Sequence, residues 1–402
     1  MKFRLPFTRR SIEIRASKRP RPDEWSDFWY SVGTGETTKA GVDVSEDTAL
    51  TLGAVWACVR VISEDLASLP LFVYRRAGKG KDRAMEHPCY RLLHDAPNPE
   101  MSAMQFREAL MAHVLLWGNC YAEIQRNLRG EPIALWPLRP DKMEVARDDS
   151  NQLQYVYSVN SEKRYFTPTD ILHVAGLGCN GLIGYSVISY HKETIGLGLA
   201  ANEFGSRFFS GDATPRMVLK HPGFLKEEAH KKLRDRWQST YGGSANSGKV
   251  AVLEEGMDLT TVSIPNSDAQ YLETRKFEVS EIARIYRVPP HKIGDLERAT
   301  FSNIEHQGID YVVSTIRPWA VRWEQAINQR LLNASEEYFA EHLVDGLLRG
   351  DLQSRYNAYA VGRNWGWLSV NDIRSLENLN PVAIGDDYLQ PMNMSVIGEK
   401  PE

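Results

Sequence analysis

Two stretches of the chain carry apolar residues at helical spacing, with a short loop between them. The first runs from Ser267 to Val288 and opens with Ser267 and Gln270 at capping-box spacing, which predicts the start of a helix. Pro289 ends this helix because it lacks an N–H and biases Val288 away from helical backbone angles. Its apolar positions are Tyr271, Phe277, Ile282, Ile285 and Tyr286. They drift around the helix among many charges, which favours a solvated or subunit-facing helix.

The second stretch predicts a long helix after the loop VPPHKIGDLERATFSN. The adjacent Pro289 and Pro290 stiffen the entry to the loop, and Ser302 or Asn303 can cap the helix that follows. Pro318 lies inside the helix and should kink it, because it removes one hydrogen bond. The apolar residues recur at steps of three to five and are Ile304, Ile309, Val312, Ile316, Trp319, Trp323, Ile327 and Leu331.

Residues 40 to 188 mix helical and strand patterns. An amphipathic helix is predicted from Thr51 to Ser68, followed by the strand LFVYRR, and a second helix from Ser102 to Trp117. The apolar face of the first helix comprises Val55, Trp56, Val59, Ile62 and Leu66. The strands that follow are NCYAEIQRN, ALWPLRP, MEVARD, LQYVYSV and KRYFTPTDILHVAG, with turn signals between them. This mixture predicts the α+β class.

A compact insertion separates two helical patterns further along the chain. Residues 189–210 predict a helix rich in small residues, which can approach a neighbour closely. The insertion reads as the strand ATPRMVLKHPG, a helix from Lys226 to Tyr241, a Gly/Ser/Asn loop and the strands VAVLEE and LTTVSIP. After Leu332 a polar stretch leads to two more helices, 351–364 and 369–377, and the tail after Tyr388 has no periodicity.

Composition bounds the class of protein. A chain of 402 residues suggests two or more compact regions or one elongated protomer. The formal net charge of −4 does not indicate a surface that grips DNA. Four widely spaced cysteines favour reduced thiols, and no apolar run approaches the length of a membrane span. The basic N-terminal residues 1–39 read as a disordered arm, or alternatively as one that contacts DNA or an assembly partner.

Two glycine-rich stretches raise the alternative of a nucleotide-binding enzyme, such as a nucleotide-dependent DNA translocase. GSANSGKV at 243–250 fits a P-loop except that Val250 replaces the Mg²⁺-binding Ser or Thr. A helix precedes this stretch and a strand follows it, the reverse of a phosphate-binding loop. GLGCNG at 176–181 matches G-x-G-x-x-G, but no helix follows at once and no parallel strand follows at the expected distance. A bend between regions is the favoured interpretation.

The sequence contains no further sign of catalysis, of a metal or of a cofactor. The histidines lack ligand spacing, and no G-x-S-x-G elbow is present. Two pairs of adjacent carboxylates, Glu64-Asp65 and Asp386-Asp387, point in different directions on a helix and cannot act as a catalytic dyad. We interpret them as solvated surface.

Three blocks of sequence carry a resemblance to a known family. They are LETRKFEVSEIARIYRVPPHKIGDLERATFSNIEHQ with the following IRPWAVRWEQAINQRLL, GWLSVNDIRSLENLNPVAIGDDYLQPMN, and AVWACVRVISEDLASLPLFVYRR. They occur in the family's order and closely resemble the portal proteins of tailed double-stranded DNA bacteriophages, the head-tail connectors. The resemblance covers nearly the whole chain after the first forty or so residues.

The resemblance implies an elongated protomer, with an α/β wing, that assembles with copies of itself as a ring, typically of twelve. Its parts would be a wing (40–188), stem helices (189–210 and 267–288), a small α/β clip (211–266), a tunnel loop (289–303), a long kinked helix with a return to the wing (304–345), a helical crown (346–390) and a mobile tail (391–402). Such a ring would conduct DNA at one vertex of the capsid in the virion, after assembly in the host cytoplasm.

The implied partners are the terminase large subunit, the major capsid protein and scaffold, a head-completion adaptor protein, and double-stranded DNA read without sequence specificity. The portal itself would hydrolyse nothing and would involve no membrane. Weak phosphate contacts suit DNA that must keep moving. The candidate contacts are His291, Lys292 and Arg298 in the loop, with Arg275 and Arg284 on the stem. The candidate hinge residues are Pro289, Pro290, Ser302 and Asn303.

Overall fold

A computed structural model describes most of the chain. The described residues are 38–78, 80–210, 217–241, 253, 256–261, 265–295, 307–333, 335–344, 352–377 and 379–389. Residues 1–37 of the predicted N-terminal arm, the glycine-rich stretch at 243–250, the strand VAVLEE apart from Leu253, the predicted cap at Ser302 or Asn303 and the end of the C-terminal tail lie outside them.

Helices and strands alternate irregularly along the described chain. The helices are α1 (Glu46–Leu50), α2 (Gly53–Ser68), α3 (Pro88–His94), α4 (Ala103–Trp117), α5 (Val187–Tyr190), α6 (Lys192–Ser210), α7 (Glu227–Tyr241), α8 (Pro265–Tyr286), α9 (Arg317–Arg330), α10 (Leu352–Asn364) and α11 (Val370–Leu376). The strands are β1 (Leu71–Ala77), β2 (Gly80–Arg83), β3 (Asn119–Arg126), β4 (Pro132–Leu138), β5 (Met143–Arg147), β6 (Leu153–Val159), β7 (Glu162–Phe166), β8 (Ile171–Ala175), β9 (Met217–Lys220), β10 (Asp258–Thr261) and β11 (Tyr338–His342). The predicted α+β class is confirmed.

The chain forms two compact units, each built from separate segments. The first unit includes Ala57–Val187 and Arg284–Glu402. Three antiparallel sheets form its framework, with strand orders β11-β1-β2, β4-β3-β8 and β5-β6-β7. A core cluster packs between the second and third sheets and contains Tyr121, Leu138, Met143, Val145, Tyr155, Phe166 and Ile171. The strands from NCYAEIQRN to DILHVAG are thus confirmed.

Strand β11 was not predicted, because its sequence YFAEH sits in a stretch that reads as polar loop. It pairs antiparallel with β1, more than 260 residues earlier in the chain, with Val73 opposite Ala340. Side chains of α9 accept hydrogen bonds from two backbone N–H groups of β11. Asn328 Oδ1 accepts from Ala340 N at 2.7 Å, and Glu324 Oε1 accepts from His342 N at 2.8 Å. A distant partner and a covering helix therefore make this short segment a strand.

Close backbone contacts join the end of α4 to the segment after β8. Gly118 caps α4 in the left-handed conformation, with φ of 75°. A Cβ on Gly118 would lie 2.1 Å from the Tyr185 carbonyl oxygen, and one on Gly184 would lie 2.1 Å from the Gly118 carbonyl oxygen. Only glycine fits at either point.

The Asn119 side chain fixes this contact through a buried polar network. Its Oδ1 accepts from Gly184 N and its Nδ2 donates to Gly184 O, both at 2.8 Å. His173 Nε2 lies 3.1 Å from Asn119 Oδ1, and Tyr155 OH lies 3.2 Å from His173 Nδ1. Burial lowers the pKa of His173 to about 3, so the ring is neutral. Its single N–H therefore sits on Nε2 and donates to Asn119, while Tyr155 donates to Nδ1.

The second unit includes Tyr30–Trp56 and Ile188–Ala283. The predicted helix at 189–210 is divided into α5 and α6. A Cβ on Gly196 would lie 2.8 Å from Thr38 Cγ2, and one on Gly198 would lie 2.9 Å from Leu52 Cδ2. The small residues of α6 therefore admit close neighbours, as the sequence predicted. Strands β9 and β10 pair antiparallel, and the residues of α7 with described side chains are mostly exposed.

Helix α8 differs from its prediction in where it starts and in the burial of its C-terminal part. It begins at Pro265, two residues before the predicted start at Ser267. Its C-terminal part is buried rather than solvated, with Ile282 and Tyr286 at 1% and 5% exposure, whereas Phe277 is exposed as expected. The helix ends at Tyr286, as the Pro289-Pro290 pair predicted. In α2, Trp56 was predicted on the buried face but is 51% exposed.

The long helix after the loop contains a π-helical turn where a kink was predicted. Residues 307–311 are helical, Val312–Ile316 form the π turn, and α9 continues from Arg317. In the π turn the Arg317 N–H bonds to the Val312 carbonyl, five residues earlier. The wider turn comes directly before Pro318, which has no N–H to give, so the interruption has the predicted cause.

Thr315 on the π turn ties the two long helices' ends together. Its Oγ1 donates to the Arg287 carbonyl at 2.7 Å, and the Thr315 side chain is buried. Arg287 follows α8 directly and takes the left-handed conformation, with φ of 59°. The hydrogen bond thus holds the residue at which the chain leaves α8.

The last two helices match the prediction closely. Ser369 caps α11, and the Ser369 and Asp372 side chains bond to each other's backbone N–H groups in a capping box. Arg355 on α10 pairs with Glu377 after α11, with Nε and Oε1 2.8 Å apart. Both side chains are largely buried, so the pair fixes how the two helices meet.

Replacing Gly118 with alanine should destabilise the protein strongly, because the new methyl group meets the Tyr185 carbonyl. Gly130→Ala is the matched control, since Gly130 has a similar φ of 78° but open space around its Cα. We expect Gly130→Ala to cost about 1–2 kcal/mol and Gly118→Ala at least about 4 kcal/mol, measured by urea unfolding. Equal shifts for the two variants would contradict the steric explanation.

Replacing Thr315 with valine should lower the free energy of unfolding by about 1–2 kcal/mol, because the Arg287 carbonyl loses a buried donor while shape is kept. Ser314→Ala on the same turn is the control and should change it by less than about 0.5 kcal/mol. Urea denaturation of the two variants checks this. A Thr315→Val shift no larger than that of the control would show that the hydrogen bond contributes nothing.

Candidate functional site

The candidate site is the segment between the two long helices. Pro289 has φ of −61° and ψ of 136°, and Pro290–Ile293 form one turn of 3₁₀ helix that ends at Gly294 in the left-handed conformation. Lys292 N donates to Pro289 O and Asp295 N donates to Pro290 O, both at 3.0 Å. The two prolines therefore start a compact turn, and their role as hinge residues stays a prediction.

Two of the predicted DNA-contact residues, His291 and Lys292, lie together on this turn. His291 Nδ1 is 2.8 Å from Gln307 Oε1, on the far side of the loop. Lys292 Nζ is 3.6 Å from Asp65 Oδ2 on α2. The same ammonium lies 5.1 Å from the centre of the Tyr311 ring, within the range of a cation–π contact. Both residues therefore face protein partners.

Asp65 was interpreted from sequence as solvated surface, and that interpretation is wrong. Its side chain is 24% exposed, and its Oδ2 is buried and accepts no hydrogen bond from the residues that the structure describes. Adjacent Glu64 is the more exposed carboxylate, 3.9 Å from Arg60. Adjacent positions on a helix point in different directions, so one of the two could face inward, but the sequence does not tell which.

Tyr311 is a further residue of this site that the sequence did not single out. Its side chain is 1% exposed at the start of the π turn. Burial, together with the neighbouring Asp65 carboxylate, raises the pKa of Tyr311 well above its ordinary value. The ring therefore stays neutral and offers its face to Lys292. Tyrosine in an apolar helical pattern reads as core, so no signal distinguished it.

The two stem candidates, Arg275 and Arg284, both lie on α8 and are exposed. They are nine residues apart, and at 100° per residue they project from opposite sides of the helix. Arg275 lies one turn before Glu278, whose pKa is raised by burial while the Arg275 charge opposes the rise. The two arginines therefore cannot both face the same surface. The remaining candidates, Arg298, Ser302 and Asn303, lie outside the described residues.

The glycines at 176–181 allow close backbone contacts and do not form a phosphate-binding loop. Gly176 N donates to Gly118 O at 2.8 Å, and a Cβ on Gly178 would lie 1.9 Å from the Ile183 carbonyl oxygen. The preceding strand β8 pairs antiparallel with β3, and the next helix, α5, begins only at Val187. A dinucleotide fold needs a parallel sheet and a helix directly after the loop. Nothing in the described structure favours nucleotide binding.

The described residues show neither a metal site nor a membrane span. Nowhere in the described ranges do three or more His, Cys, Asp or Glu side chains come together so that they could hold a metal ion. Among the described helices, none combines the length and apolar composition that crossing a bilayer requires.

Known proteins resemble this chain over most of its length. A family model described as "Phage portal protein" matches residues 53–378. The "Probable portal protein" of Streptomyces phage phiC31 is 33% identical over 398 residues, covering 94% of this chain and 86% of that protein. The "Portal protein" of Enterobacteria phage HK97 is 32% identical over 350 residues, covering 85% of this chain and 82% of that protein.

A solved structure agrees with the sequence matches. A chain in the neck of an empty GTA (gene transfer agent) particle, computed with C6 symmetry, aligns with a TM-score of 0.63 at 25% identity. The alignment covers 81% of this chain and 90% of that chain. The family match begins at the first residue of α2 and ends beyond α11, so it spans both compact units. The chain is a member of the phage portal protein family.

Proposed function

We propose that this protein assembles as a closed ring, typically of twelve copies, and conducts the genome through its channel at one capsid vertex. The observation that carries the proposal is the family match over 53–378, which takes in both compact units. The match therefore concerns the whole protein and not one shared domain, so we infer the family's function for the whole chain. Identical subunits related by rotation form heterologous interfaces that close into a ring.

The proposed parts of the protomer follow the family resemblance. Residues 40–188 are the wing, 189–210 and 267–288 the stem, 211–266 the clip, 289–303 the tunnel loop, 304–345 the long helix and wing return, and 346–390 the crown. Support comes from the second compact unit, which contains α6, α7 and most of α8 and so groups the stem with the clip. Support for the loop comes from its place between two long helices.

The proposed partners are those of a packaging vertex. The terminase large subunit docks on the clip and drives DNA through the ring, and a head-completion adaptor protein replaces it. The major capsid protein and scaffold surround the ring during assembly in the host cytoplasm. The portal family is a structural component of the virion, and we propose that this chain hydrolyses nothing and needs no cofactor.

The channel should touch DNA weakly. Every phosphate neutralised releases counterions and strengthens binding, so a ring that repeats one cation per subunit already multiplies the contact. We assign this contact to Arg298 in the loop and to Arg284 on the stem. Arg284 is preferred to Arg275 because Arg275 shares the buried side of α8 with Glu278 and Ile282.

Reversing Arg298 to glutamate should impair packaging while rings still form, because repulsion from phosphate is repeated around the channel. The DNA protected from nuclease in assembled particles should fall several-fold. Arg129→Glu, on the exposed turn between β3 and β4, is the control and should leave packaging unchanged. Unchanged packaging by Arg298→Glu, or loss of rings, would contradict the assignment.

The translocase alternative makes a different prediction. The purified protein should show no DNA-stimulated ATP hydrolysis above background, because the stretch at 243–250 lacks the Mg²⁺-binding hydroxyl. Phosphate release is measured with and without duplex DNA. Hydrolysis that Lys249→Ala abolishes would revive the alternative.

A further inference from the structure

Among the described residues, Lys292 connects the base of the proposed tunnel loop to α2. Lys292 Nζ lies 3.6 Å from Asp65 Oδ2 and 5.1 Å from the centre of the Tyr311 ring. The lysine comes from the 3₁₀ turn, the carboxylate from α2 and the ring from the helix after the loop. Three elements that are distant in sequence therefore meet at one ammonium group.

The Asp65 carboxylate is partly buried and has Lys292 as its cationic neighbour. Asp65 Oδ2 is buried and accepts no hydrogen bond from the described residues, and the neighbouring Tyr311 is almost completely buried. A carboxylate in such a place is costly unless a cation compensates its charge. Lys292 is the more exposed member of the pair, at 35%. The carboxylate therefore gains more from the pair than the lysine does.

Two further hydrogen bonds hold the turn that carries Lys292, one across the loop and one just before the turn. His291 bonds to Gln307 across the loop at 2.8 Å. Thr315 bonds to the Arg287 carbonyl at 2.7 Å, just before the turn. Displacing Lys292 would thus disturb the whole base of the loop rather than one side chain.

We propose that Asp65, with Tyr311, is a positioning residue that holds the base of the tunnel loop against α2 through Lys292. The inference rests on the proposed function only in assigning the loop to the DNA channel. It changes the expectation for Lys292, because a lysine that compensates a partly buried carboxylate positions the loop and leaves the phosphate contact to Arg298.

The two roles of Lys292 predict opposite effects of Asp65→Asn. If Lys292 were a phosphate contact, Asp65→Asn would release the ammonium and DNA contact would be kept or strengthened. If Lys292 positions the loop, Asp65→Asn and Lys292→Met both release the base of the loop and act in the same direction. Lys292→Arg keeps the charge and the reach, so it should behave as the unaltered protein.

Hydrogen–deuterium exchange on the full chain tests the tie directly. The amides of Lys292, Gly294 and Asp295 donate hydrogen bonds within the turn, so their exchange reports its opening. We expect peptides covering 288–295 to exchange about threefold to tenfold faster in Asp65→Asn and in Lys292→Met. The double variant should be no faster than the faster single variant, because the two changes break the same interaction.

Glu64→Gln is the matched control, since it removes the adjacent, exposed carboxylate of α2, which lies 3.9 Å from Arg60. Its exchange at 288–295 should be unchanged. The proposal is overturned if Asp65→Asn exchanges no faster than Glu64→Gln, or if the two single effects add in the double variant.

A DNA-packaging assay is the functional part of the test. It distinguishes failure of the positioning role of Asp65 from failure of the proposed function. Asp65→Asn and Lys292→Met should both reduce nuclease-protected DNA while rings form, and Lys292→Arg should not. Packaging that Asp65→Asn leaves intact or improves would overturn the positioning role. If the unaltered protein forms no rings, the proposed function fails, and the exchange measurement still decides whether Asp65 holds the turn.

Discussion

The hydrogen bond from Thr315 to the Arg287 carbonyl fixes where the chain leaves one long helix and meets the next. Its donor is available because the π turn at Val312–Ile316 places Thr315 in the interior, and the π turn in turn accommodates the missing N–H of Pro318. A proline inside a helix is thus connected to the position of a loop some twenty residues earlier. The pair of Lys292 with Asp65 extends the same joint to α2.

The proposed tunnel-loop assignment places two requirements on this joint. A segment that lines a channel for moving DNA must be placed firmly and yet must bind phosphate weakly. Two side chains of the turn after α8, His291 and Lys292, face Gln307 and Asp65 of the same chain. The net charge of −4 fits the same requirement, since the protein as a whole does not attract DNA.

Local rules predicted the elements whose signals are local. The helix starts at Ser102 and Ser369, the strands β3 to β8 and the stop before Pro289 could be predicted, since each depends on neighbouring residues. Strand β11 was missed because its partner strand, β1, is distant in sequence. The partly buried position of Asp65 was missed, because periodicity cannot say which of two adjacent carboxylates contacts a lysine that is distant in sequence. The family resemblance indicated the function, whereas the contact between Lys292 and Asp65 could be seen only in the three-dimensional structure.

The most direct test of this account is an electron cryo-microscopy reconstruction of the purified full-length protein. The account predicts a closed ring with a central channel wide enough for a duplex, with residues 289–303 at the channel wall and Lys292 turned toward Asp65. A protein that stays monomeric, or a ring that places these residues on its outer surface, would contradict it.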